Sequence, residues 1–118
     1  MPREFSRKVR VAESIKRSLA PLVGELARAA APVMASVTAV EVTPDLKLAT
    51  IFVSIYGVAE KEKEVMTHLR GELPRLRHAV ATELRLRQTP VLELVLDKSL
   101  ARGARIGQLL GNSKPAQD

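Results

Sequence analysis

Residues 84 to 99, Leu84-Arg85-Leu86-Arg87-Gln88-Thr89-Pro90-Val91-Leu92-Glu93-Leu94-Val95-Leu96-Asp97-Lys98-Ser99, run from a basic helix end through a proline turn into a strand. A residue before proline is pushed out of the helical region, so Thr89 is expected to be extended and the helix to stop by about Arg87. Beyond the turn Leu92, Leu94 and Leu96 point one way while Glu93 and Asp97 point the other, the pattern of a half-buried strand. Arg85 and Arg87 therefore stand where a helix meets a sheet.

Upstream of that join, Val65, Met66 and Leu69 and then Leu76, Val80 and Leu84 repeat at helical spacing, with Gly71 and Pro74 interrupting the pattern. Two short helices joined by a kink are predicted, the first opening on Glu60-Lys61-Glu62-Lys63-Glu64, whose alternating signs suit a solvated face. Further back, 37–42 and 47–56 are rich in β-branched residues and flank Thr43-Pro44-Asp45-Leu46-Lys47, so a hairpin is predicted. In its second strand Ala49, Ile51, Val53 and Ile55 share the face that suits a core. Residues 6–30 read as a long amphipathic helix with Ser6 as N-cap, Val11, Ile15, Leu19, Leu22 and Leu26 as its apolar stripe, and a bend at Pro21. A short terminal helix is expected over 98–110, ahead of a polar tail.

The resulting order, α-β-β-α-kink-α-β, predicts an α+β domain over 1–110 in which helices cover one face of a three-stranded sheet. Residues 111–118 are expected to be flexible. This order matches the type II KH topology. In ordinary KH domains a G-x-x-G loop lets the RNA backbone approach closely, whereas the join here reads Gly71-Glu72-Leu73-Pro74, so the usual clamp is not expected.

The 118 residues suffice for one self-supporting core. No cysteine is present, which excludes disulfides and cysteine metal or redox sites and suits a reducing cytoplasm. No apolar run approaches the roughly 20 residues of a membrane span, and the charged N-terminus lacks a signal-peptide core. The formal charge is +6, which favours a polyanionic partner. That charge is unevenly placed: residues 1 to 17 hold six basic and two acidic side chains, whereas 41 to 64 hold three basic and five acidic. Phe5, Phe52 and Tyr56 are too few aromatics for a base-stacking platform of the RNA-recognition-motif or OB type.

Several segments in order carry a resemblance to a known family: Arg10-Val11-Ala12-Glu13-Ser14-Ile15-Lys16-Arg17, the hairpin from Val37 through Pro44-Asp45 to Ala49, Val53-Ser54, Leu76-Arg77, Leu86-Arg87-Gln88-Thr89-Pro90, and Leu92-Glu93-Leu94 followed by Asp97. Across about 3–110 the chain resembles the ribosome-binding factor A family. The resemblance implies a type II KH-like fold, binding to the small ribosomal subunit and its 16S rRNA, and a role in late rRNA maturation that is linked to growth in the cold. The family tends to carry an Ala-x-Gly kink between its central helices, where Glu72-Leu73-Pro74 stands here. It also tends to place Glu after the turn proline and an aromatic in the next strand, where this chain has Val91 and Leu94.

The expected mechanism is binding without chemistry, in which cations neutralise rRNA phosphates and release counterions. Three groups are candidates: Arg7, Arg10 and Arg17 on the first helix; Arg75, Arg77, Arg85 and Arg87 on or beside the third; Lys98, Arg102 and Arg105 after the last strand. Arg3, Arg7, Arg10 and Arg17 fall within about 80° of one another on a helical projection, roughly opposite the apolar stripe. Guanidinium forks suit phosphate. Any one of these residues has a solvated or intramolecular alternative, which for Arg77 is pairing with Glu72 or Glu83. Asp45 reads as a turn acceptor and Asp97 as a cap for the terminal helix. His68 and His78, ten residues apart in sequence, lack metal-pair spacing and read as surface or packing residues. Gly103-Ala104-Arg105-Ile106-Gly107 is assigned to local helix packing.

No catalytic residue, metal or cofactor is expected, and a monomer is. An RNA-processing nuclease or modification enzyme would need clustered carboxylates, a histidine pair or a cofactor loop, and Asp45 and Asp97 are isolated. A generic KH-like RNA-binding module, or a module whose basic faces bind acidic proteins, are the remaining alternatives.

Overall fold

The computed structural model describes residues 3–98, with side chains from residue 7 onward. The elements run α1 (Arg3–Ala30), β1 (Met34–Val42), β2 (Leu48–Tyr56), α2 (Glu62–Gly71), α3 (Leu73–Leu84) and β3 (Val91–Leu96), with a 3-10 turn, Ala59–Lys61, before α2. This is the α+β, type II KH-like order expected from the pattern. The terminal helix expected over 98–110 and the tail beyond it lie outside the described residues.

β2 is the central strand: β1 pairs with it antiparallel and β3 parallel. A parallel partner needs a crossover, and α2 and α3 supply it. Ala49, Ile51 and Val53 of β2 are fully buried, as are Ile15, Leu19 and Val23 of α1, Leu69 of α2, and Leu76 and Val80 of α3. Each large aliphatic in that set contributes roughly 1.5–3 kcal/mol by leaving water. On the other face of the sheet Thr50 and Phe52 are only partly covered, and Val91 is exposed. The three helices thus occupy one side.

Several boundaries differ from the sequence expectation, each for a local reason. α1 begins at Arg3, so Ser6 lies within the helix and is not its N-cap. α1 continues through the exposed Pro21 as one helix, with the Arg17 carbonyl losing its helical donor on the exposed side. β1 begins at Met34 and not at Val37, because Met34, Ala35 and Ser36 pair with Tyr56, Ile55 and Ser54.

Within β1 the pairing shifts between Val37 and Ala39, leaving Thr38 as an extra residue. Thr38 Oγ1 donates to the Phe52 carbonyl at 3.3 Å and to Asp97 Oδ2 at 2.6 Å. This bulge resets the alternation, so Val37 and Val42 are both buried although they are an odd number of residues apart. Asp97 therefore turns its carboxylate onto β1, and the terminal helix it was expected to cap lies outside the described residues.

The kink between α2 and α3 is a single non-helical residue, Glu72, with φ −99° and ψ 12°. Pro74 lies in the first turn of α3, so it cannot donate to the Arg70 carbonyl, and the chain breaks its helix there. α3 ends at Leu84, three residues before the expected Arg87. Arg85 takes the left-handed conformation, φ 53° and ψ 41°, and the chain turns early enough for Leu86 to pack against the core.

Candidate nucleic-acid interface

On α1 the outward arc presents Arg7, Arg10 and Arg17, all exposed, as the helical projection predicts. The core stripe on the opposite side of α1 fixes the helix's rotation, so burial of Ile15 and Leu19 is what turns these guanidinium groups outward. Arg28 continues the same arc and is also exposed. It was absent from the sequence candidates, although the same arithmetic places it with Arg10 and Arg17.

α1 and α3 pack side by side, and a groove of about 630 Å³ runs between them, lined by Ser14, Arg17, Ser18, Pro21, Glu83 and Leu84. This brings Arg17 beside the C-terminal end of α3, next in sequence to Arg85. A second groove of about 740 Å³ shares Ser18, Pro21 and Glu83 with the first and adds Arg28 and His78. Arg75, Arg85 and Arg87 are exposed. Arg17 thus stands beside the end of α3 that leads into Arg85, in a groove that also holds Glu83, while Arg28 shares the adjoining groove with Glu25.

The remaining candidates have specific partners or lie elsewhere. Arg77 donates from Nη2 to the Thr89 carbonyl at 3.1 Å, in place of Glu72 or Glu83, and so ties the proline turn to α3. Lys98 Nζ is 3.7 Å from Glu62 Oε1, an exposed pair of small energetic value. Arg102 and Arg105 lie outside the described residues. Arg70, which sequence reasoning missed, donates to the Leu94 carbonyl at 3.0 Å. That carbonyl points away from β2, so Arg70 covers part of the free edge of β3.

Other polar groups form supporting structure. Asp45 Oδ1 accepts from Thr43 Oγ1 at 2.7 Å and from the Lys47 N–H at 3.1 Å, and these two bonds hold its carboxyl below the usual carboxylate range. His68 is half-buried with Nε2 lacking a hydrogen-bond partner, and His78 is exposed on α3. Among the described residues no group of three His, Cys, Asp or Glu side chains is placed to hold a metal ion, and no helix is long and apolar enough to cross a membrane. The one-residue link at Glu72 leaves no room for a G-x-x-G loop.

The comparisons with known proteins agree with this architecture. A ribosome-binding factor A from Gloeobacter violaceus is 40% identical over 116 residues, covering 95% of this chain and 89% of that protein. The crystal structure of ribosome-binding factor A from Thermus thermophilus superposes with a TM-score of 0.65 at 25% identity, over 75% of this chain and 94% of that one. A homology model of the Thermus thermophilus protein, fitted into the cryo-EM map of a 30S complex, gives a TM-score of 0.56 at 23% identity, over 72% and 93% of the two chains. The family pattern of ribosome-binding factor A matches residues 7–110, spanning the arginine face of α1, the hairpin, the kinked helix pair and the proline turn together, and the chain belongs to that family.

Proposed function

We propose that this chain is a non-enzymatic assembly factor that binds 16S rRNA in the immature small ribosomal subunit and promotes its late maturation. The observation that carries this reading is the cationic layer: Arg7, Arg10 and Arg17 share one exposed arc, and α1 packs against α3, whose end carries Arg85 and Arg87. Family membership supports the small subunit as the target, since a homology model of the Thermus thermophilus relative was fitted into the map of a 30S complex. Arginine forks on the layer neutralise phosphates, release counterions and hold one arrangement of a folding RNA. No covalent step is needed, and the chain acts in the cytoplasm as a monomer.

Co-sedimentation with isolated small subunits, large subunits and complete ribosomes over a salt series tests the proposal. Selective association with the small subunit that weakens as salt rises is the expected result. Equal binding to every particle, or none, removes it. Replacing Arg85 and Arg87 together by glutamate should weaken small-subunit binding while circular dichroism shows the fold retained. Unchanged binding by the folded double variant takes that end of α3 out of the interface.

A further inference from the structure

The two grooves between α1 and α3 carry charges of both signs, which a surface that only neutralises phosphate does not call for. Pro21 and Glu83 line both grooves; Arg17 stands in the first, and Glu25, Arg28 and His78 stand in the second. Among the described residues none of Arg17, Glu25, Arg28 and Glu83 forms an ion pair or a side-chain hydrogen bond, although opposite charges share the same walls. A ligand that carries both an anion and hydrogen-bond donors can therefore engage both signs at once. A nucleotide whose base is unpaired is such a ligand, with phosphates on either side and a free Watson–Crick edge.

We infer that these grooves form a subsite for one unpaired guanosine of an RNA strand, with Glu83 reading the base and Arg17 and Arg28 holding the flanking phosphates. The inference rests on the function proposed above, which supplies RNA as the partner. On a helical projection Arg17, Pro21 and Arg28 fall within about 40° of one another, and the helical rise sets the two arginines about 16 Å apart along the axis. That gap admits a base and leaves a guanidinium for the phosphate at each end. The groove volumes, about 630 and 740 Å³, lie within the roughly 300–1,000 Å³ of sites that take small ligands. A Cβ at Gly24 would stand 3.5 Å from Arg28 Nη1, so the guanidinium lies back along the helix beside the groove. His78, exposed on α3, offers a ring on which a base can stack.

The choice of guanine follows from Glu83. An ionised carboxylate only accepts, and its two oxygens suit two parallel donors. The Watson–Crick edge of guanine presents N1–H beside its N2 amino group. Adenine and cytosine present an amino group beside an acceptor, and uracil presents a single donor between two acceptors. A phosphate placed at the same point is repelled by Glu25 and Glu83, so the carboxylates favour the base over the backbone there.

Fluorescence anisotropy of the full chain with three single-stranded RNA hexamers, alike except for guanosine, inosine or uridine at one central position, tests the inference. The parent chain should bind the guanosine hexamer about tenfold more tightly than the uridine one, with inosine, which lacks the 2-amino group, between them. Glu83→Gln should abolish that preference even though it makes the chain more positive. Glu93→Gln, the same change of charge on the sheet, should retain it. With 6-thioguanosine at the central position, irradiation should attach the hexamer to peptides of α1 or α3. Equal or absent binding of all three hexamers overturns the inference and leaves the grooves to another occupant, such as a peptide of mixed charge. A preference that survives Glu83→Gln, or attachment confined to other elements, overturns it as well. Small-subunit selectivity in co-sedimentation is read separately, so the assembly-factor reading can stand while the guanosine site fails.

Discussion

Asp45 is ionised at lower pH than an ordinary aspartate because its carboxylate accepts from Thr43 Oγ1 first and from the Lys47 N–H second. A folded-state pKa below the unfolded value means a stabilising contribution that is present above the unfolded pKa and lost as pH falls through the folded one. Asp45→Asn, which cannot ionise, should therefore melt lower than the parent chain at neutral pH, and the gap should close as pH falls through the lowered folded-state pKa of Asp45. Thermal denaturation of the two chains across acid pH measures this, and a gap that persists in acid would mean that the turn depends on the shape of the side chain and not on its charge. Arg85 offers the complementary case. It sits at a helix end with φ 53°, where glycine is the unstrained residue, and it is exposed. Arg85→Gly should raise stability by about 0.5–1 kcal/mol in a denaturant titration, and under the proposed function it should weaken small-subunit binding at the same time. Stability and affinity moving in opposite directions would mark an arginine kept for its charge at some cost to the fold.

The α2–α3 junction separates what is legible in the sequence from what is not. Pro74 was legible as a break because the missing N–H is a property of the residue itself, and the structure places the break at Glu72, two residues before it. Gly71 read as part of the same break, but it is helical, and a Cβ built there meets nothing within 4 Å. Gly71→Ala should therefore stabilise the chain by about 0.5–1 kcal/mol, shown by a higher denaturant midpoint, with the kink retained because Pro74 makes it. Gly57 is different: its φ is 132°, and a Cβ would stand 3.2 Å from the Pro32 carbonyl, so this glycine is required to end β2. The Thr38 bulge could not be read from β-branched periodicity, since its hydroxyl is held by Asp97, 59 residues away. The end of α3 was misplaced for a similar reason, because burial of Leu86 decides where the chain turns. Of the candidate cations, the α1 arc was legible because helical geometry is local. The partner of Arg77 was not, because the Thr89 carbonyl comes within reach only once the proline turn has folded back.

At the scale of the whole molecule, the net charge of +6 conceals a division between two faces. The helical side carries Arg7, Arg10, Arg17 and Arg28, while the open side of the sheet carries Glu41, Glu93 and Asp97. Under the proposed function a polyanion is drawn to the helical side in preference to the side that carries these carboxylates, which orients the chain before any specific contact forms. The orientation has a thermodynamic signature, because each phosphate neutralised contributes roughly 0.7–0.9 to the slope of log affinity against log salt. Replacing Arg7, Arg10 and Arg17 together by glutamine should lower that slope for small-subunit binding by about 2, as well as the affinity itself. Replacing Glu41 and Glu93 by glutamine raises the net charge but, being on the other face, should leave the slope nearly unchanged. Binding titrations of the three chains at several salt concentrations separate an oriented interface from a general attraction between a basic protein and RNA. If only net charge mattered, the glutamate replacements would strengthen binding about as readily as the arginine replacements weaken it. If the helical layer is the interface, the two faces respond unequally.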